Sequence, residues 1–150
     1  MMRLVWAILV VGFLLPGCFW TCGPTVGNVQ GHVVLGARFL DNQTVLQQSL
    51  VEQGFQVDEE YPGTLHGAKP RQDVYVQVAE NANVEVRFLF DVPHKEFADS
   101  EAGGEAARAY STEQTEAMRP VAQEVADRLA QAVGVAAVHV TMDNPGFAIC

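Results

Sequence analysis

Between Arg3 and Arg38 the chain carries no charged side chain, and over its whole length it is short of positive ones. Nine lysines and arginines stand against eighteen aspartates and glutamates, for a net charge of −9. None of the eight basic residues from Arg38 onward sits next to another. An acidic surface without a basic cluster is repelled by phosphate, which argues against nucleic acid and against direct docking on anionic headgroups. Also missing are a nucleophile elbow, a phosphate-binding glycine loop, an HExxH metal helix and cysteines paired as C-x2-C. The familiar local signatures of catalysis are therefore absent.

What is present begins at the N-terminus. Arg3 precedes an apolar core from Leu4 to Leu15, and Leu15-Pro16-Gly17-Cys18 closes it, the layout of an export signal. An ordinary cleavage site after Gly17 would want a small residue at Leu15, which is bulky and branched. In this box the chain resembles the bacterial lipoprotein class, whose signal ends in a leucine-like residue, two small or neutral residues and an obligatory cysteine. The resemblance covers residues 1–18 and implies that residues 1–17 are a cleaved signal peptide. Cys18 then becomes the mature N-terminus, with diacylglycerol on sulfur and a third acyl chain available to its nitrogen. Two or more chains hold a protein stably on a membrane, where one does not. The implied location is the cell membrane or outer membrane, lipid-anchored and facing the periplasm or extracytoplasmic side. Phe19 stands where an aspartate often marks inner-membrane retention, so the resemblance points to the outer membrane. The competing reading is an uncleaved membrane helix. Leu4 to Trp20 offers 17 uncharged residues, short of the ~20 a span needs, and Pro16-Gly17 breaks its last turn.

Removing residues 1–17 takes away only Arg3 among charged residues and leaves 133 residues with a net charge of −10, enough for one domain with a real core. With Cys18 lipidated, Cys22 and Cys150 remain as an even pair in an oxidising compartment. They are open to three readings: a bridge within the chain, a bridge between chains, or two unrelated thiols. The string Trp20 to Pro24 has a slight thioredoxin look but one cysteine where that chemistry needs two.

Along the mature chain, residues 18–31 read as a lipidated tether and residues 32–150 as one domain. Val33 to Leu35 forms a short buried strand. A helix runs from Asn42 to Gln53, with Asp41 as N-cap and Gly54 as the left-handed exit. Residues 55–72, punctuated by Pro62-Gly63, Gly67 and Pro70, read as an edge strand and a loop. Val74, Val76 and Val78 alternate with polar residues, as do Val84, Val86, Phe88 and Phe90. A three-residue turn at Glu80 to Ala82 keeps both apolar sets on one face. It opposes Val78 to Val84 and Val76 to Val86, with Tyr75 against Arg87 on the other face. Residues 92–110 read as a mobile connection. The period of Met118, Val121, Val125, Leu129 and Val133 predicts a second helix, with Ser111 and Gln114 as a capping box and Pro120 either kinking the helix or marking its start. Gln123 falls on the outer face of that helix. Val138, Val140 and Met142 alternate into a last strand.

This order predicts an α+β fold, an antiparallel sheet with two helices on one face, in the ferredoxin-like βαββαβ arrangement. There the last strand lies beside the first, which brings Cys22 and Cys150 to one end. The joint from Gly134-Val135 into Val138-His139-Val140 resembles that of small ring-forming modules in secretion-system lipoproteins, and this similarity carries no functional residue across.

Asp91, His94 and Glu96 cluster after a strand and offer metal ligands, though a solvated loop explains them as well. Glu59-Glu60 beside Tyr61 reads as surface charge. No catalytic residue, metal site or cofactor is assigned. The open sheet face carries Tyr75, Arg87 and His139, a candidate interaction face for an envelope protein or for self-assembly. The expected function is a non-enzymatic interaction or assembly module at the membrane; the alternative is a small periplasmic hydrolase or metal-dependent enzyme. The anchor is tested first. Intact mass of membrane-extracted protein is expected to show an acylated chain beginning at Cys18, and Cys18→Ser is expected to release the protein from membranes. A mature chain starting elsewhere without acyl mass, or unchanged membrane association, rules the anchor out.

Overall fold

Every second residue from Val29 to Leu35 is apolar or glycine, and that alternation makes the longest strand among the described residues, β2 (Val29–Arg38). Val29 and Leu35 are fully buried and Val33 nearly so, while Gln30 and Val34 face out. The structure, a computed structural model, describes residues 23–143 and 147–149. Cys18, Cys22, Cys150 and the apolar stretch before them lie outside those residues. A short strand, β1 (Pro24–Val26), precedes β2. Packed structure thus starts before residue 32, inside the segment expected to be a tether.

The chain turns directly from β2 into helix α1 (Phe39–Glu52). Phe39, Leu46, Ser49 and Leu50 are buried, and Leu40 is 73% exposed. The helix begins three residues before the expected Asn42, because the Phe39 amide donates to the Ala82 carbonyl at 3.2 Å and so needs no side-chain cap. Asp41 sits instead in the first turn, near the positive end of the helix. At the other end Gly54 adopts φ +84°, and the Phe55 amide donates to the Leu50 carbonyl at 3.0 Å, the expected left-handed exit.

Residues 56–69 form a hairpin, β3 (Gln56–Tyr61) and β4 (Thr64–Lys69), where an edge strand and a loop were expected. β5 (Gln72–Val78) and β6 (Asn83–Phe90) then pair in the anticipated register, Val78 opposite Val84, Val76 opposite Val86 and Tyr75 opposite Arg87. Ala82 holds φ +63° at the end of their three-residue turn.

Helix α2 (Glu101–Ala132) runs 32 residues, about 48 Å. It occupies much of the segment expected to be a mobile connection, and neither Ser111 nor Pro120 starts it. Ser100 is the N-cap, its Oγ accepting from the Gly103 amide at 3.1 Å. The early half escaped the hydrophobic period because its buried stripe is small: Gly103, Ala107, Ser111 and Thr115 recur every four residues. A Cβ at Gly103 would overlap the Ala98 carbonyl oxygen, so that close approach requires glycine. Thr115 satisfies its buried hydroxyl by donating to the Ser111 carbonyl at 2.8 Å.

The final strand of the main sheet, β7 (Thr141–Asp143), begins three residues later than the alternation at Val138 suggests. Gln123 of α2 explains this. Its Nε2 donates to the Val138 carbonyl at 2.7 Å and its Oε1 accepts from the Val140 amide at 3.1 Å, so these backbone groups bond to a helix side chain. Gln123 is correspondingly part-buried, where the helical period placed it outside. A last strand, β8 (Phe147–Ile149), pairs with β1 in a separate two-stranded ribbon.

The main sheet is antiparallel with strand order β3-β4-β5-β6-β2-β7, and α1 and α2 pack against it over one core. The α+β expectation holds, whereas the ferredoxin-like βαββαβ arrangement does not. Two further strands, β3 and β4, intervene between α1 and the β5–β6 hairpin, so α1 leads to the far edge of the sheet. The four strands of that expected arrangement still lie side by side as β5-β6-β2-β7. Removing the Gln123 amide tests how the sheet's last strand is positioned. Gln123→Ala is expected to cost about 1–2 kcal/mol in urea unfolding and to speed hydrogen exchange at the Val140 amide. Unchanged exchange there would refute the role.

Candidate functional site

Because the helices cover one face, the residues of opposite parity line the other, and the registers stack them into rows. One row crosses all six strands: Asp58 opposite His66, His66 opposite Tyr75, Tyr75 opposite Arg87, Arg87 opposite His32, and His32 opposite Thr141. At ~4.8 Å between strands this row is about 24 Å wide. A second row sets Thr64, Gln77, Glu85 and Val34 beside it, and a third sets Gln56, Ala68, Asp73, Leu89, Gln30 and Asp143 on its other side.

Side chains within these rows are mutually engaged. The His66 and Tyr75 rings stack at 4.7 Å with 12° between their planes. The His66 Nε2 lies 2.9 Å from an Asp73 carboxylate oxygen. Burial, then the charges of Asp73 and Glu60, push the Tyr75 hydroxyl above its ordinary range. Glu85 accepts from Gln77 Nε2 at 2.8 Å and from Arg87 Nε at 3.1 Å and Nη2 at 3.3 Å, a forked pair along one strand. Burial would raise the Glu85 carboxyl, but the hydrogen bonds from Gln77 and Arg87 and the charges of Arg87 and His32 outweigh it and hold it below the usual carboxylate range. Arg87 itself stays 58% exposed. Towards β7, the His32 Nδ1 lies 3.5 Å from an Asp143 carboxylate oxygen. Gln30, His32, Glu85, Arg87 and Asp143 line a shallow depression of about 350 Å³.

The structure brings Tyr75 and Arg87 together and leaves His139 apart. His139 is exposed and precedes β7, and Thr141 takes the place beside His32. Reading 138–142 as one strand put His139 on the sheet; the Gln123 hydrogen bonds remove it. His32 and His66 join the face instead, and sequence reasoning missed both. The signal for His66 was the two-residue Pro70-Arg71 turn, which sets it opposite Tyr75 once β4 is recognised. His94 and Glu96 approach to 3.8 Å but are largely exposed, and Asp91 does not join them. Among the described residues no three of His, Cys, Asp or Glu gather to hold a metal. Glu59, Glu60 and Tyr61 are exposed on β3.

The His66–Asp73 pair has half the geometry of a general base held by a carboxylate. Among the described hydrogen bonds no hydroxyl or thiol completes it. On the opposite side of the molecule, a groove of about 610 Å³ between α1 and α2 is lined by Val45, Ser49, Glu52, Gln53, Arg128 and Gln131. It contains none of the residues singled out from the sequence. No described helix is long and apolar enough to cross a membrane. No family model matches the chain, and no curated protein matches it as a relative.

The Glu85 network generates a pH prediction. Its native carboxyl titrates below the ordinary value of 4.5, so the ionised form contributes stability in full above that value. The contribution is lost as pH falls through the depressed native value. Urea unfolding across pH 7 to 3 is expected to show wild-type stability falling below about pH 4.5. Glu85→Gln should be less stable by about 1–2 kcal/mol at pH 7 and lose less on acidification. Parallel acid profiles for the two proteins would contradict the assignment.

Proposed function

We propose that the chain is a lipid-anchored lipoprotein of the bacterial cell envelope whose domain is a non-enzymatic interaction or assembly module, with the open sheet face as its contact surface. The observation that carries this reading is the six-strand row centred on Tyr75 and Arg87. It lies on a face that neither described helix covers, and it combines an aromatic ring and an arginine of the kind interfaces favour. The ion pairs and hydrogen bonds already formed on that face hold its side chains in place, which lowers the ordering cost of binding. Anchoring at Cys18 rests on the signal and lipobox described above. Gly23 already packs against the Phe97 carbonyl, so the link left between Cys18 and the domain is Phe19 to Cys22, at most about 14 Å, against the ~45 Å of one running to Gly31. The domain would therefore work close to the membrane surface, and its partner is expected to be another envelope protein or a second copy of the chain.

Crosslinking of the lipidated protein in its native envelope is the test. Wild type is expected to recover a specific partner or its own dimer, and folded Tyr75→Ala/Arg87→Ala to lose it. Truncating a central interface residue costs about 2 kcal/mol or more, roughly 30-fold in affinity. Equal recovery with a folded double mutant would refute the face. Turnover of a soluble substrate that disappears in His66→Ala would replace this reading with an enzymatic one built on the His66–Asp73 pair.

A further inference from the structure

Granting the reading of the open sheet face as the contact surface, on which this rests, we infer that its β3–β5 half docks a lysine- or arginine-bearing segment of another protein and not a second copy of this chain. In the three rows and the β3 bulge beside them stand the carboxylates of Asp58, Glu60, Asp73, Glu85 and Asp143, against the single cation of Arg87. With the histidines neutral, that is a net charge of −4. The other seven lysines and arginines from Arg38 onward stand elsewhere among thirteen carboxylates. The face is therefore more one-sided in charge than the rest of the chain.

That charge is uneven across the sheet. On the β6-β2-β7 half, the Arg87 fork holds Glu85, and His32 lies 3.5 Å from Asp143. The β3–β5 half has carboxylates and no cation. Asp58 opposes His66, which stacks on Tyr75 and lies 2.9 Å from Asp73. Asp73 and Glu60 both act, after burial, to raise the Tyr75 hydroxyl, in keeping with their place beside that ring. The Asp58 and Glu60 carboxylates have no hydrogen-bond or ion-pair partner among the described residues, whereas Asp41, Glu116 and Glu124 are each matched by an arginine. Tyr61, 65% exposed at the tip of the β3–β4 hairpin, borders the group next to Glu60. A lysine or arginine can lay its stem on such a ring while its charge meets the carboxylates.

A second copy is a poor source of that charge. Across a two-fold axis the face would meet itself, carboxylates against carboxylates, and its one cation is already held by Glu85. In a head-to-tail contact, Arg119 and Arg128 of α2 would arrive already paired with Glu116 and Glu124. Like charge in apposition selects against the wrong partner and leaves a basic one favoured.

The first test titrates a capped hexalysine peptide into the isotope-labelled full chain carrying Cys18→Ser, purified in detergent at low salt. Amide shifts are expected to concentrate at Asp58, Glu60, Asp73 and Tyr75. Asp58→Asn/Glu60→Gln/Asp73→Asn is expected to weaken binding roughly 10-fold, with Asp58→Asn/Glu60→Gln in its place should circular dichroism show the triple variant unfolded. Glu101→Gln/Glu105→Gln/Glu113→Gln, which removes as much charge from the exposed side of α2, is expected to weaken it less than about 2-fold. Shifts spread over every acidic surface, or equal losses in the two sets, would overturn the inference. The second test repeats the native-envelope crosslinking with Asp58→Asn/Glu60→Gln, which is expected to lose the partner. Unchanged recovery, or a dimer of this chain as the crosslinked species, would overturn the inference and leave the contact face standing. A partner lost on Asp58→Asn/Glu60→Gln but kept by folded Tyr75→Ala/Arg87→Ala would refute the Tyr75–Arg87 centre and leave the basic partner standing.

Discussion

The fold depends on the parity of β2. This strand pairs with β6 on one side and β7 on the other, leads directly into α1 and packs under α2. Its Val29, Val33 and Leu35 enter the core while Gln30 and His32 leave it. A slip of one residue would exchange those two sets, exposing two valines and a leucine and forcing Gln30 and His32 under the helices. The buried Val84, Val86, Phe88 and Phe90 of β6 impose the same choice on the neighbouring strand. The two constraints agree, and through them every residue on the outer face has its side assigned.

That assignment makes the outer face a consequence of core packing. His32, Tyr75 and Arg87 fall in one row because the valines beside them face inward and the antiparallel registers are in phase. Electrostatics then organises the row locally. Arg87 is engaged by Glu85, and Glu85 by Gln77, so the one arginine on this part of the sheet stands as a held donor fork. The acidic Asp58, Glu59 and Glu60 sit on the edge strand β3, where charge discourages unwanted pairing with another sheet.

Helix α2 shows how burial can escape hydrophobic periodicity. Its second half buries Val125 and Leu129 and is visible from sequence; its first half buries Gly103, Ala107, Ser111 and Thr115. Small residues gain little from leaving water, but they permit close approach, and dispersion at short range then contributes where transfer free energy does not. The β3–β4 hairpin was obscure for a related reason. Leu65 is its only fully buried large residue, and Gly67 lies where Phe55 packs across the strand, so the apolar group covering that position belongs to another part of the chain.

The sequence by itself determined the features governed by local chemistry. It determined the β5–β6 register, because two runs of period two joined by a three-residue turn have one pairing that buries both valine sets. It also determined the exit of α1 at Gly54 and the apolar stripe of the second half of α2. Tertiary structure decided the rest. Only the packed sheet brings His32 and His66 into line with Tyr75 and Arg87, because register between strands distant in sequence depends on neighbours that no local window contains. Only α2 decides where β7 begins, since Gln123 takes the backbone groups of Val138 and Val140 that a sheet neighbour would otherwise bind. The hairpin that stands where an edge strand and a loop were expected depends on a core surface supplied by α1 and Phe55. Local alternation specifies which face a residue prefers; long-range packing specifies what lies beside it.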